Sequence, residues 1–260
     1  MIIPLEGFRY IFRIVVIGLS FGQAVVANTN EVTSKLVEYH TEDGEKVTGY
    51  LAFPITSGKF PAIILIHEWW GLNDDMKSKA QDFAEEGYVA LAVDLYAGKS
   101  TTDPQEARLL AEVVRKNMAG AFGNLSSAAD YLNNSPRVDT NRLASIGWCF
   151  GGGWSSQMAK NDLGVKVSVI YYGRFNPADD LTKMRTDIIG HFAEKDRVIE
   201  IESVKEFQVK LKSLKGDHHI YIYPNTTHGF ASRKEANPNY AEAEAALAWR
   251  QTLAFLKTNL

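Results

Sequence analysis

The stretch Arg142–Trp154 reads RLASIGWCFGGGW. Its first seven residues form a short apolar strand pattern, Gly147 and Gly151 bracket Cys149, and helical spacing follows. That is the order of a nucleophile elbow, G-x-nucleophile-x-G, with cysteine in place of serine. So tight a strand-to-helix turn strains the backbone of its apex residue and crowds the neighbours, hence glycine on either side. The following helix points its N-terminus at Cys149, favouring thiolate over thiol, and leaves the Phe150 N–H free to bind an oxyanion. The plain alternative is a buried free cysteine in a glycine-rich turn.

Outward from the elbow, short β-branched runs alternate with longer helical stretches. KLVEYHT, KVTGYLAF, PAIILIH, YVALAVD, RLASIGW, VKVSVIYY, DIIGHFA and HIYIYP read as strands, the middle ones apolar enough to be buried on both faces. Helical spacing covers Asp74–Glu86, Pro104–Met118, Leu125–Asn133, Trp154–Lys160, Glu200–Leu214 and Tyr240–Leu260. This pattern predicts an α/β fold: a mostly parallel twisted sheet with helices on both faces, opened by an antiparallel hairpin around Gly44. No linker or internal repeat divides it, so residues 28–260 read as one domain. Ligands of such sheets bind beyond the carboxyl ends of the strands.

The chain has 260 residues, 45% hydrophobic and 23% charged, which excludes disordered, collagenous and coiled-coil classes. With 28 Lys+Arg against 31 Asp+Glu there is no basic surplus for nucleic acid. A single cysteine excludes an internal disulfide and a CxxC metal or redox pair. Arg9 and Arg13 precede the apolar run Ile14–Ala27, and the chain then turns polar at Asn28. This predicts a signal peptide over residues 1–27 and an exported, periplasmic or secreted protein. An uncleaved N-terminal membrane anchor is the alternative. No later stretch reaches the ~20 apolar residues of a membrane span.

A nucleophile at an elbow needs a base and an orienting acid, in the chain order nucleophile, acid, His. His228, in PNTTHGF after the last strand, is the candidate base. Asp196, in AEKD beyond the strand Asp187–Ala193, is the candidate orienter, with Glu194 its competitor. The loop HEWWG after the strand Pro61–Ile66 supplies a second oxyanion donor, the Trp69 N–H. Glu68 beside it would repel an oxyanion unless its task is to accept a proton, for instance from the thiol; otherwise it forms a salt bridge at the rim. His67 and His191 read as structural. Trp69, Trp70 and Trp148 read as walls of an apolar pocket.

GWCFGG, the Asp of AEKD, THGF, HEWWGLN and DLY at Asp94–Tyr96 together resemble the dienelactone hydrolase family of the α/β-hydrolase fold. The resemblance runs from about Val37 to Leu260. It implies a Cys149, Asp196, His228 triad, Glu68 as the carboxylate that helps generate the thiolate, oxyanion donation by the Phe150 and Trp69 amides, and no metal or organic cofactor. One departure concerns the two arginines with which dienelactone-specific members hold the substrate carboxylate. Their positions carry Leu110 and Ser232 here, with Arg108 and Arg233 one or two residues away. Dienelactone is therefore not assured as substrate, since bidentate recognition depends on where the guanidinium fork sits.

The first functional expectation is a cysteine-dependent hydrolase of small-molecule esters or lactones. A non-catalytic small-molecule binding protein that keeps the fold is the alternative. Thiol redox chemistry at Cys149 lacks a resolving cysteine.

Overall fold

The computed structural model describes residues 31–232 and 237–260. The expected export segment and Arg233 lie outside the described residues.

Eight strands form one sheet: β1 (Val32–His40), β2 (Lys46–Pro54), β3 (Phe60–Ile66), β4 (Val89–Val93), β5 (Val138–Trp148), β6 (Val167–Tyr171), β7 (Asp187–Ala193) and β8 (His218–Tyr223). Their spatial order is β1-β2-β4-β3-β5-β6-β7-β8. β1 and β2 pair antiparallel, as do β2 and β4, and every other pairing is parallel. The parallel strands therefore share one carboxyl edge.

The alternation of side chains along β3 shows why both faces are covered. Ile64 and Ile66 enter a core with α2 (Pro104–Lys116), α3 (Met118–Asn133) and α4 (Phe150–Lys160). Ile63 and Leu65 point the other way, onto α1 (Asp74–Glu85) and α6 (Glu242–Asn259). All four are fully buried, as a strand inside a parallel sheet requires. A third cluster joins Ile170, Ile188 and Phe192 to Val204 and Phe207 of α5 (Ile201–Lys212).

Two helices start earlier than their apolar spacing suggests. α3 begins at Met118 because Asn117 ends α2 and also caps α3, its Oδ1 accepting from the Gly120 N–H at 3.1 Å. Gly120 and Gly123 mask this first part in sequence, since glycine disfavours helix. α4 likewise begins at Phe150, through three glycines. Among the described residues no helix is long and apolar enough to cross a membrane.

Candidate active site

Cys149 sits at φ 52° and ψ −110°, between β5 and α4. Non-glycine residues seldom adopt positive φ, and the strain is held by the close passage of the chain around it. A methyl at Gly147 would lie 2.0 Å from the Gly151 carbonyl oxygen, and one at Gly151 would lie 2.1 Å from that of Ile66. The Cys149 N–H donates to Tyr171 O at 3.0 Å, tying the apex to β6. Below it, buried Ser145 (β5), Ser155 (α4) and Ser168 (β6) link hydroxyls at 2.9 and 2.8 Å, pinning α4 to the sheet.

The carboxyl edge brings the distant polar residues together. His228 Nε2 lies 3.1 Å from Cys149 Sγ, and His228 Nδ1–H donates to Asp196 Oδ2 at 2.8 Å. Asp196 Oδ1 accepts from the Val198 and Ile199 amides at 2.7 and 3.0 Å, which fixes the carboxylate. Burial opposes charge on Asp196, but the His228 hydrogen bond and these amides outweigh it and lower its pKa. Burial likewise disfavours the imidazolium of His228. Its bonds to Asp196 and Cys149 win, raising its pKa to about 10. The carboxylate on His228 is that of Asp196; Glu194 is exposed and accepts from the Asn225 amide at 2.8 Å, bracing the loop that carries His228.

Glu68 is not a rim salt bridge. It is 8% exposed, Oε2 accepts from Ser232 Oγ at 3.1 Å, and Oε1 has no partner among the described residues. Burial pushes its carboxyl above the ordinary carboxylate range, against the pull of the Lys79 ammonium, the Ser232 hydroxyl and His228, while Asp75 adds to the rise. Tyr172, at φ 38°, closes this side with its ring edge-on to His228 at 5.1 Å. His67 is structural, as expected: Nδ1–H donates to Glu68 O at 2.6 Å and Nε2 accepts from the Leu95 amide at 3.1 Å. His191 is structural too, bonded to Tyr223 and Thr252, and burial lowers its pKa to about 3.

A cavity of about 890 Å³ opens over Cys149, lined by Glu68, Trp69, Trp70, Phe150 and His228 among others. Phe150 is the first residue of α4, where its N–H has no acceptor within the helix. Trp148 is not a wall of this cavity. Strand alternation puts it on the face of Ala144 and Ile146, in the core opposite the one Phe150 joins beyond the elbow, where it is 2% exposed and stacks on Tyr171 at 5.2 Å. Trp154, one turn into α4, takes that place.

Arg108 lines the cavity, and Leu110 packs into the core beside it. Arg115 and Arg174 line it as well, neither singled out from sequence. Arg108, Ala111 and Arg115 share one face of α2 at i, i+3 and i+7, so the position of Arg108 could have pointed to Arg115. The Arg115 guanidinium rests 5.5 Å over the Phe150 ring. Among the described residues none of these arginines has a carboxylate at ion-pair distance.

Residues 47–260 match the model of the dienelactone hydrolase family. A relative from Aquifex pyrophilus, protein usf, is 31% identical, covering 87% of this chain and 99% of its own length. A Bradyrhizobium relative named as a probable 2-oxo-3-(5-oxofuran-2-ylidene)propanoate lactonase is 26% identical, over 84% of this chain and 92% of its own. The crystal structure of a provisionally assigned dienelactone hydrolase from Klebsiella pneumoniae superposes with a TM-score of 0.77 at 23% identity, covering 88% of this chain and 99% of that one, which shows the shared fold. The chain is a hydrolase that belongs to the dienelactone hydrolase family.

Proposed function

We propose that this hydrolase cleaves carboxylic esters or lactones with Cys149 as nucleophile. The observation that carries the reading is the unbroken line Cys149 Sγ, His228 and Asp196, at 3.1 and 2.8 Å, on a strained elbow beneath a cavity.

Asp196 and the Cys149 sulfur both favour the imidazolium form of His228, so once the thiol has lost its proton His228 is set to act first as an acid. That leaves Glu68 to take the thiol proton. The Cys149 thiolate attacks the carbonyl carbon, and the oxyanion is bound by the Phe150 and Trp69 amides. As the intermediate collapses the carbon–oxygen bond breaks, and the departing alkoxide takes the His228 proton. Neutral His228 then draws a proton from water as that water attacks the thioester. The carbon–sulfur bond breaks, the sulfur leaves as thiolate beside the re-formed imidazolium, and Glu68 returns its proton to the sulfur as the acid product departs.

The charges around the cavity favour an anionic substrate. Arg108, Arg115 and Arg174 surround the opening without carboxylate partners among the described residues, and Trp69, Trp70 and Trp154 supply apolar wall. The Bradyrhizobium relative's name, a lactonase of a propanoate, fits such a substrate.

Cys149→Ala is expected to abolish p-nitrophenyl acetate turnover, and wild-type protein quenched with acid during turnover is expected to carry one acetyl group on Cys149 by mass spectrometry. Turnover by the alanine variant above the uncatalysed rate would overturn the mechanism.

A further inference from the structure

Lys79 occupies a core position. Met76, Lys79, Ala80 and Phe83 form the buried i, i+3, i+4, i+7 face of α1, and the lysine is 5% exposed. Lysine is almost never that buried without a partner, because removing an ammonium from water is costly. Among the described residues it has no carboxylate within ion-pair distance. Its ammonium lies 5.3 Å over the ring of Trp148, the residue before Cys149. A cation–π contact alone does not offset the cost of taking an ammonium out of water.

Glu68 has the complementary deficit. It is buried, and among the described residues one oxygen is unpartnered and the other has only the Ser232 hydroxyl. Among the described residues the charged groups acting on it are Lys79 and Asp75 from α1 and His228 from the loop after β8. Tyr172 and Cys149 complete the group, since Glu68 and Cys149 both act on the Tyr172 hydroxyl. Lys79 is the strongest of the influences that favour the Glu68 carboxylate. An ammonium buried near a carboxylate that has no ion-pair partner among the described residues favours the carboxylate's ionised form even without direct contact.

We propose that Lys79 is a positioning residue of the hydrolytic site, a buried counter-charge that keeps Glu68 ionisable and so sets the pH at which Glu68 takes the Cys149 proton. The inference rests on the reading of Glu68 as proton acceptor. Lys79 touches neither substrate nor reacting atoms; it works through Glu68.

The test compares wild type, Lys79→Met, Lys79→Arg, Glu68→Gln and the Lys79→Met/Glu68→Gln double variant, each checked for folding by circular dichroism. The readouts are the pH dependence of Cys149 alkylation by iodoacetamide and of kcat/KM for p-nitrophenyl acetate. Losing the ammonium raises the carboxyl further, so Lys79→Met should move the acid limb of both profiles up by about one pH unit. Lys79→Arg should restore it, and Lys79→Met should shift nothing more once Glu68 is Gln. A folded Lys79→Met with an unmoved limb, alongside a Glu68→Gln that does move it, overturns the role of Lys79 and leaves that of Glu68 standing. A limb unmoved in Glu68→Gln overturns the reading of Glu68 itself. If Lys79→Met does not fold, Lys79→Gln gives the same comparison.

Discussion

Ser232 donates a hydrogen bond to Glu68 across 164 positions of sequence, at 3.1 Å. Its position is one where the family resemblance leads one to expect an arginine, so a neutral hydroxyl stands where a guanidinium would bring charge. Among the described residues Glu68 is thus supported by one weak donor, and Ser232→Ala removes it. Burial already raises the Glu68 carboxyl, and the substitution should raise it further. The acid limb of kcat/KM is expected to move to higher pH. Equilibrium unfolding in urea at pH 7 should show a loss of about 1–2 kcal/mol.

The hydrogen-bonded line from Cys149 through His228 to Asp196 predicts its own pH window. His228 is raised from its ordinary value to about 10, so the stability it contributes is full below about 6.5 and lost as pH climbs through 10. Asp196 is lowered, so its contribution is present above the ordinary Asp value and lost only as pH falls through its depressed one. Melting temperature should therefore be highest on the acid side of neutrality and decline between pH 7 and 10. His228→Ala, followed by differential scanning calorimetry across that range, should flatten the decline.

Two glycine substitutions should have opposite signs. Gly147→Ala places its methyl 2.0 Å from the Gly151 backbone, where nothing can yield. Insoluble protein or a loss of more than about 3 kcal/mol is expected. Gly123→Ala, inside α3 with no atom within 4 Å of the new methyl, should stabilise by about 0.5–1 kcal/mol. Urea denaturation of both variants measures the contrast.

If the arginines around the cavity select an anion, their loss should be felt by charged substrates alone. Arg115→Ala and Arg174→Ala are each expected to raise KM for a carboxylate-bearing aryl ester about 10-fold, or ~1.4 kcal/mol, and to leave kcat within about 2-fold. Turnover of p-nitrophenyl acetate by the same variants should stay near wild type. Arg115→Ala also uncovers the Phe150 ring, so a modest fall in melting temperature should accompany it.

The sheet was readable because its strands are short, β-branched and apolar on both faces, a composition that little but a covered parallel sheet satisfies. Cys149, Asp196 and His228 were readable because each follows a strand. Other features depend on packing that local sequence does not carry. Trp148 adjoins Cys149 in the chain, but it faces one core with Ala144 and Ile146 while the elbow carries Phe150 into the other. Lys79 sits in DDMKSKAQDF, where it looks like one more solvated lysine, and only the docking of α1 reveals it as core. Arg174 is exposed on a segment without periodicity, so nothing before the fold associates it with Arg108 and Arg115.

The groups proposed for chemistry and those proposed for selection hang on different connections of the sheet. Cys149, Asp196 and His228 follow β5, β7 and β8, while Arg108 and Arg115 ride on α2 and Arg174 follows β6. Connections vary more freely between relatives than the strands they join. A lineage could therefore exchange α2 and the segment after β6 and inherit the reacting trio intact. On this scaffold, diversification of diet would be a matter of replacing cations one loop at a time.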